Sequence, residues 1–220
     1  MAEINDIAIT QLPSVLRKET LMQGHWGLVE DADARCRSLE SAGIARASDL
    51  FDLSAKGGVP GLSRRTRVPG PWIDTLHNLL MHHRYKAFSV AKVDDVGEEL
   101  VQRLMQRGWR RTDVLIGRLI SPMQRRALAE EVGVGIERVE KLARMLDLTR
   151  KPGIKQVKAV LFIDAGIGSL SDLGKQQPEC LRKRLEDLIR TNGLHRAVPT
   201  PKEMESDVCW ARVYPVVMKL

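Results

Sequence analysis

The sequence is poor in aromatic residues and cysteine. Phe, Trp and Tyr make up 4% of its 220 residues, and the three cysteines, Cys36, Cys180 and Cys209, form no CxxC pair. This predicts neither a disulfide framework nor a zinc knuckle, and it fits a reducing compartment. No stretch approaches the ~20 apolar residues of a membrane helix or forms a signal-peptide core. We therefore expect a cytoplasmic protein with no membrane partner.

The common catalytic and cofactor-binding signatures are also missing. The chain contains no Walker loop, G-x-S-x-G, H-E-x-x-H or dinucleotide fingerprint. His77, His82 and His83 lie close together, but no carboxylate stands beside them at a ligand spacing, so we interpret them as surface residues. We predict no catalytic activity, no cofactor and no bound metal.

Positive charge is in excess. The 35 Lys and Arg against 28 Asp and Glu give a net charge of +7 and a pI near 9.5, which permits a nucleic-acid partner. Solvated helix faces are the alternative explanation of the cationic runs. These runs are Arg103, Arg107, Arg110, Arg111, Arg118, Arg125 and Arg126, and then Arg150, Lys151, Lys155 and Lys158.

A nine-residue pattern organises the chain. Residues 42–50 and 165–173 share A-G-I-x-x-x-S-D-L, and residues 107–115 resemble a degraded copy. The glycine suits the left-handed turn that ends a helix, and we expect Ser48 and Ser171 to cap the helices that follow. Apolar residues at helical spacing flank each copy. We predict an all-α fold with an internal repeat of short-helix units of helix-hairpin-helix type.

The helical pattern lapses near residue 90, and this predicts two lobes. Residues 1–90 would form a divergent helix-hairpin-helix-like lobe. Residues 91–220 would form a helix-turn-helix-like pair followed by a second helix-hairpin-helix-like lobe.

Residues 148–159 resemble a helix-hairpin-helix motif, whose core reads h-x-G-h-G-x-x-x-A. Gly153, Ile154 and Ala159 match this core, and Lys155 stands in place of the second glycine. In such a hairpin the first amides of the second helix can receive a phosphate oxygen. Lys151, Lys155 and Lys158 would surround them. The alternative is a hairpin that keeps this geometry only for packing.

Residues 126–142 match the spacing of a helix-turn-helix, with Ala129, Gly133 and Val139 at its structural positions. Glu137 and Glu140 would face phosphates, and the second helix has no Asn or Gln to read adenine edges. We therefore favour a structural helix pair over a DNA-reading one.

Four segments occur in order along the second half of the chain. They are R-R-x-L-A-x-x-x-G-V at 125–134, D-L-x-R-x-P-G-I at 147–154, A-G-I-x-x-x-x-D-L at 165–173, and V-P followed by V-x-W at 198–210. With these segments, residues 121–213 resemble a bacterial family of unknown function built from tandem helix-hairpin-helix-like units. Residues 31–85 resemble a divergent copy without the phosphate-facing turn. The resemblance implies a helical fold and a binding role.

These observations predict a non-enzymatic module that binds double-stranded or branched DNA through its backbone, with little sequence specificity. The alternative is a helical protein–protein adaptor or self-assembling scaffold, which the exposed-looking Trp26, Trp72, Trp109 and Trp210 favour. The expected DNA contacts are Lys151, Gly153, Ile154, Lys155, Lys158, Arg103, Arg107, Arg110, Arg111, Arg125 and Arg126.

Overall fold

The computed structural model describes residues 3–18, 23–93, 95–193 and 197–220, and this part of the chain is helical and contains no strand. The predicted all-α class is confirmed. No helix in these segments is both long and apolar enough to span a membrane. Short 3-10 turns cover Ile9–Gln11, Gln23–Leu28 and Val90–Lys92. The α-helices are α1 (Leu12–Leu16), α2 (Ala32–Ser41), α3 (Ala47–Ala55), α4 (Val59–Thr66), α5 (Gly70–His83), α6 (Glu98–Gln106), α7 (Thr112–Arg118), α8 (Pro122–Val132), α9 (Ile136–Leu148), α10 (Gln156–Asp164), α11 (Leu170–Gly174), α12 (Pro178–Thr191) and α13 (Pro201–Ala211).

Helices α2, α6 and α10 end in the same type of glycine turn. Gly43, Gly108 and Gly166 have φ angles of +90°, +83° and +82°. In each turn the N–H of the next residue bonds to a carbonyl five residues earlier, at 3.0, 3.1 and 2.8 Å. This bond satisfies a carbonyl that the helix end would leave unpaired. The helix stops predicted from the A-G-I pattern are confirmed.

The helix starts after these turns differ from the prediction. Helices α3 and α11 begin one residue before Ser48 and Ser171, so these serines lie inside the first turn and cap neither helix. In α11 the hydroxyl of Ser169 accepts the N–H of Asp172 at 2.9 Å. In α3 the Asp49 carboxylate accepts the N–H of Arg46 at 2.9 Å. The N-cap positions, Arg46 and Ser169, therefore lie two residues before the predicted serines.

The 3-10 turn Val90–Lys92 lies against the connection between α6 and α7. The N–H of Val90 donates to the Arg110 carbonyl at 2.9 Å, and the N–H of Thr112 donates to the Phe88 carbonyl at 3.1 Å. The boundary predicted near residue 90 falls on this turn. The division into lobes 1–90 and 91–220 stays a prediction.

A buried polar cluster joins both ends of the described chain to α9. The Arg150 side chain is 2% exposed; it pairs with Asp147 at 3.0 Å and donates to the Pro215 carbonyl at 2.9 Å. The side-chain amide of Asn5 donates to the carbonyls of Arg150 and His83 at 2.8 and 2.9 Å. Burial raises the pKa of Asp147, against the opposing effect of Arg150. An apolar core that extends from Ile7 to Met218 surrounds this cluster.

His83 belongs to the core and not to the surface, contrary to the interpretation of the three histidines. Its ring stacks on Trp210 with centroids 3.4 Å apart, and its Nδ1 lies 2.8 Å from the Tyr214 hydroxyl. Trp72 and Trp210 are buried as well, and Trp109 is half-buried beneath the Arg118 guanidinium. Only Trp26, 63% exposed, fits the exposed tryptophans that the adaptor interpretation expects.

The burial of His83 predicts a loss of stability in mild acid. Burial, then Lys151 and His82, hold its pKa well below the ordinary value of 6.5. The unfolded chain therefore binds a proton that the folded chain does not, and the free energy of unfolding should fall as the pH drops below 6.5. We expect a loss of up to about 1.4 kcal/mol per pH unit from this residue, measured by urea unfolding.

His83→Gln is the comparison variant, because it should have a shallower pH dependence than the wild type. Carbon-proton NMR of the wild-type imidazole gives an independent check. A His83 ring that titrates near pH 6.5 in the folded protein would contradict the prediction.

Candidate nucleic-acid interface

The predicted phosphate-binding turn lies between α9 and α10. Gly153 has a φ of +90°, and the buried Ile154 donates its N–H to the Lys151 carbonyl at 3.1 Å. Lys155 is the exposed N-cap of α10. The backbone therefore has the sharp turn that a glycine without a Cβ permits.

An acidic residue from α13 occupies the cationic corner beside this turn. The Lys151 ammonium lies 2.7 Å from one Asp207 oxygen and 3.0 Å from the Pro152 carbonyl, and the Lys158 ammonium pairs with the other Asp207 oxygen. Lys151 is 5% exposed and Asp207 is 3% exposed. The structure thus differs from the expected open corner, because one carboxylate shared by Lys151 and Lys158 neutralises half of their charge.

A cavity of about 280 Å³, lined in part by this ion pair, has mixed charge. Lys18 and Lys202 line it together with Glu203 and Glu205. Hydrogen bonds from the backbone and hydroxyl of Thr200, with Lys158 and Lys151 nearby, hold the pKa of Glu203 below its ordinary value. A cavity with carboxylates of its own favours no anion strongly.

Two arginines of the first cationic run hold helix ends together. Arg103 donates to the carbonyls of Val132 and Gly133 at 2.7 and 2.6 Å and pairs with Glu99. Arg107 donates to the carbonyl of Glu131 at 2.6 Å and lies 3.3 Å from its carboxylate. Both side chains therefore bind the end of α8 at the protein surface and are themselves partly exposed.

Arg111 and Arg125 also have internal partners. The Arg111 guanidinium forms a two-bond contact with Asp113 at 3.1 and 3.2 Å. Arg125 is buried, pairs with Glu140 at 2.8 Å and donates to two carbonyls at 3.0 Å. Arg125 therefore serves the core and cannot reach an external phosphate.

The remaining predicted cations, Arg110, Arg126 and Lys155, are exposed and make no ion pair with any described residue. Arg110 and Lys155 lie near Lys92, a residue that was not among the predicted contacts. Val90 bonds to the Arg110 carbonyl, and the Gln156 side chain donates to the Lys92 carbonyl, next to Lys155. We call Lys92, Arg110 and Lys155 the basic seam. Asp95, further along the same loop, is itself paired with Lys141 at 2.8 Å.

The α8–α9 hairpin, which was interpreted as a structural pair, contains Gly133-Val134-Gly135 in its turn. A carboxylate oxygen of Glu137 lies 2.8 Å from the position that a Cβ would take at Gly135. The Arg103 guanidinium covers Gly133 in the same way, at 2.6 Å. Because side chains of the protein already cover this turn, its geometry favours packing over phosphate binding.

Sequence reasoning missed Asp207 and Lys92 for different reasons. Asp207 lies among apolar residues of α13, between Met204 and Trp210, and an acid in such a position is a signal of an internal partner. Lys92 gave no signal, because a contact through Gln156, 64 residues away, brings it to the seam. Among the described residues no three His, Cys, Asp or Glu side chains could hold a metal ion together.

A family model described as Domain of unknown function (DUF4332) matches residues 94–212. No curated protein and no solved structure matches the chain. The matched range contains Arg110, Lys155 and Asp207, whereas Lys92 lies just before it. The expected likeness to a family of unknown function is confirmed in this general form.

The shared carboxylate predicts a large effect of Asp207→Asn on stability. The change leaves the buried Lys151 ammonium without a charged partner, which should cost about 3 to 5 kcal/mol of unfolding free energy. Glu205→Gln, an exposed acid on the same helix, should change it by no more than about 0.5 kcal/mol. Urea unfolding measures both, and equal midpoints for Asp207→Asn and the wild type would contradict the prediction.

Proposed function

The chain belongs to the DUF4332 family, which is defined by a domain of unknown function, and from this premise we propose a non-enzymatic module that binds DNA through the sugar-phosphate backbone. Its ligand is double-stranded or branched DNA, read with little sequence specificity. The single observation that carries the proposal is the basic seam: three exposed cations from three separate segments, each without an ion pair to a described residue.

The seam meets the electrostatic requirements of backbone binding better than the Gly153 corner. A lysine or arginine releases counterions from DNA only when it neutralises a phosphate, and an ammonium already paired with a carboxylate contributes much less. Lys151 and Lys158 share Asp207, whereas no carboxylate of the described residues pairs with a seam residue. Base readout is not part of the proposal, because the seam consists of loop and helix-end residues and no helix is offered to a groove.

The proposal includes a tandem architecture of helix-hairpin-helix-like units. The recurring glycine turns at Gly43, Gly108 and Gly166 support it. So do α4, α8 and α12: one helix (α3, α7 or α11) separates each of them from the preceding turn, and each has a proline in its first turn. In this architecture the hairpin turns mainly set helix directions, and the seam supplies the contact with phosphate.

Charge reversal of the seam tests the function directly. With about three phosphates neutralised, the affinity of the wild type for a labelled duplex should fall about 40-fold between 50 and 200 mM salt. Lys92→Glu/Arg110→Glu/Lys155→Glu should abolish most of this binding and flatten the salt dependence. Fluorescence anisotropy with a duplex and a four-way junction measures both effects.

The matched control is Lys56→Glu/Arg64→Glu/Lys183→Glu, which changes the net charge by the same amount at exposed positions outside the seam. It should retain most of the binding. Equal losses in both variants would show that only the overall charge matters, and salt-independent binding or none at micromolar protein would reject the function.

A second function, a self-assembling scaffold, is favoured by exposed apolar residues at the α7–α8 connection. Met123 is 77% exposed, with Ile120 and Leu220 also exposed nearby. The N–H of Lys219 donates to the Ile120 carbonyl at 2.9 Å, so that the last residues lie against this connection. A group of exposed apolar side chains of this kind is typical of interaction sites.

Self-association gives this second function its test. Light scattering after size exclusion should show an oligomer at micromolar concentration, and Met123→Glu should return it to a monomer. Met81→Glu, at another partly exposed methionine, should leave the oligomer intact. A wild type that is monomeric throughout would reject the scaffold.

A further inference from the structure

A groove between α2 and α4 combines arginines with small and hydroxyl-bearing residues. It has a volume of about 550 Å³, and none of the described residues that line it is acidic. Arg37 and Arg65 supply its charge, and Ser38 and Ser41 supply hydroxyl groups. Its other lining residues include Ala34 and Ala42, whose short side chains leave the space open.

Both arginines can serve an external anion. Arg37 is exposed and makes no ion pair with a described residue. Arg65 donates one hydrogen bond, to the Ala42 carbonyl at 3.2 Å, out of the five N–H groups of a guanidinium. That bond orients Arg65, and it also covers a carbonyl at the end of α2 whose partial negative charge would otherwise oppose an anion.

Of the turns at Gly166 and Gly108, the first has the same arginine contact and the second does not. Beside Gly166, Arg184 donates to the Ala165 carbonyl at 3.2 Å, as Arg65 does to Ala42. Beside Gly108 the corner is closed, because Arg107 and Arg118 both pair with the Glu131 carboxylate, at 3.3 and 3.2 Å. The arginines of the α2–α4 groove keep a charge that the arginines beside Gly108 lose to a neighbour.

We propose that the α2–α4 groove binds a phosphate group, as a phosphate ester or a pyrophosphate. The planar guanidinium forks of Arg37 and Arg65 bind its charged oxygens, because phosphate geometry matches paired N–H donors. Ser38 and Ser41 donate their hydroxyls to the remaining oxygens. This site is lined by residues between 34 and 66, outside the family match at residues 94–212, and shares no residue with the basic seam.

The test is a proton-nitrogen NMR titration of the full chain with inorganic pyrophosphate and, separately, with a short oligonucleotide. The amide signals of Ser38, Ser41 and Gly43 should shift as pyrophosphate is added and reach a plateau when the site is saturated. Arg37→Gln/Arg65→Gln should weaken the pyrophosphate affinity roughly tenfold or more, the loss expected for charge-assisted hydrogen bonds. Lys56→Gln/Arg64→Gln, with the same change of charge and Arg64 on the same helix, should leave the affinity within about twofold.

The outcomes separate this site from the proposed function. Shifts with both ligands support a general phosphate site, and shifts with the oligonucleotide alone support a site for phosphodiesters. Pyrophosphate binding here without any DNA binding upholds the groove and rejects the DNA function. Unmoved groove amides overturn the inference even if DNA binds at the seam, and so does an equal loss of affinity in both variants.

Discussion

The buried ion pair of Arg150 and Asp147 is the constraint on which the arrangement of α9, α11 and the two ends of the described chain depends. Burying a guanidinium is costly unless a counter-charge and hydrogen-bond acceptors are buried with it. Its ion-pair partner, Asp147, lies three residues earlier on α9, whereas two acceptors come from distant parts of the chain: the Pro215 carbonyl at 2.9 Å and the Ile4 carbonyl at 3.5 Å. Asp147 in turn receives the N–H of Leu170 at the start of α11. One side chain thereby fixes how α9, α11 and both terminal segments fit together.

This constraint also explains why two lysines of a motif that resembles a DNA-binding hairpin, Lys151 and Lys158, face the protein. Arg150 points into the core from the residue before Lys151, and the chain must then turn at Gly153 close to α13. Asp207 on that helix meets Lys151 and Lys158 in the place where a phosphate was expected. The turn between α9 and α10 can therefore keep its backbone geometry while Lys151 and Lys158 stabilise the protein itself and Lys155 stays exposed.

The sequence predicted local features well and tertiary pairing poorly. The all-α class and the stops at Gly43 and Gly166 depend on neighbouring residues, and both are confirmed. The partners of Lys151 and Arg107 lie 56 and 24 residues further along the chain, and no local pattern encodes such distances. A dense run of arginines thus indicated which part of the chain carries positive charge, and not which of its arginines lack a carboxylate partner.

The caps of α3 and α11 differ from the prediction because Asp at the third helical position, and not Ser at the second, makes the contact with the residue before the helix. Asp49 accepts the N–H of Arg46, and Asp172 accepts the hydroxyl of Ser169.

The glycine turns at Gly43, Gly108 and Gly166 are closed by main-chain bonds alone. Because no neighbouring side chain is needed to make the bend, the residues around each bend can differ without altering the path of the backbone. The chain shows this already, with an arginine on a carbonyl at two bends and an arginine–glutamate contact at the third. A protein built in this way can acquire a new surface chemistry at one bend while the other two keep the molecule folded.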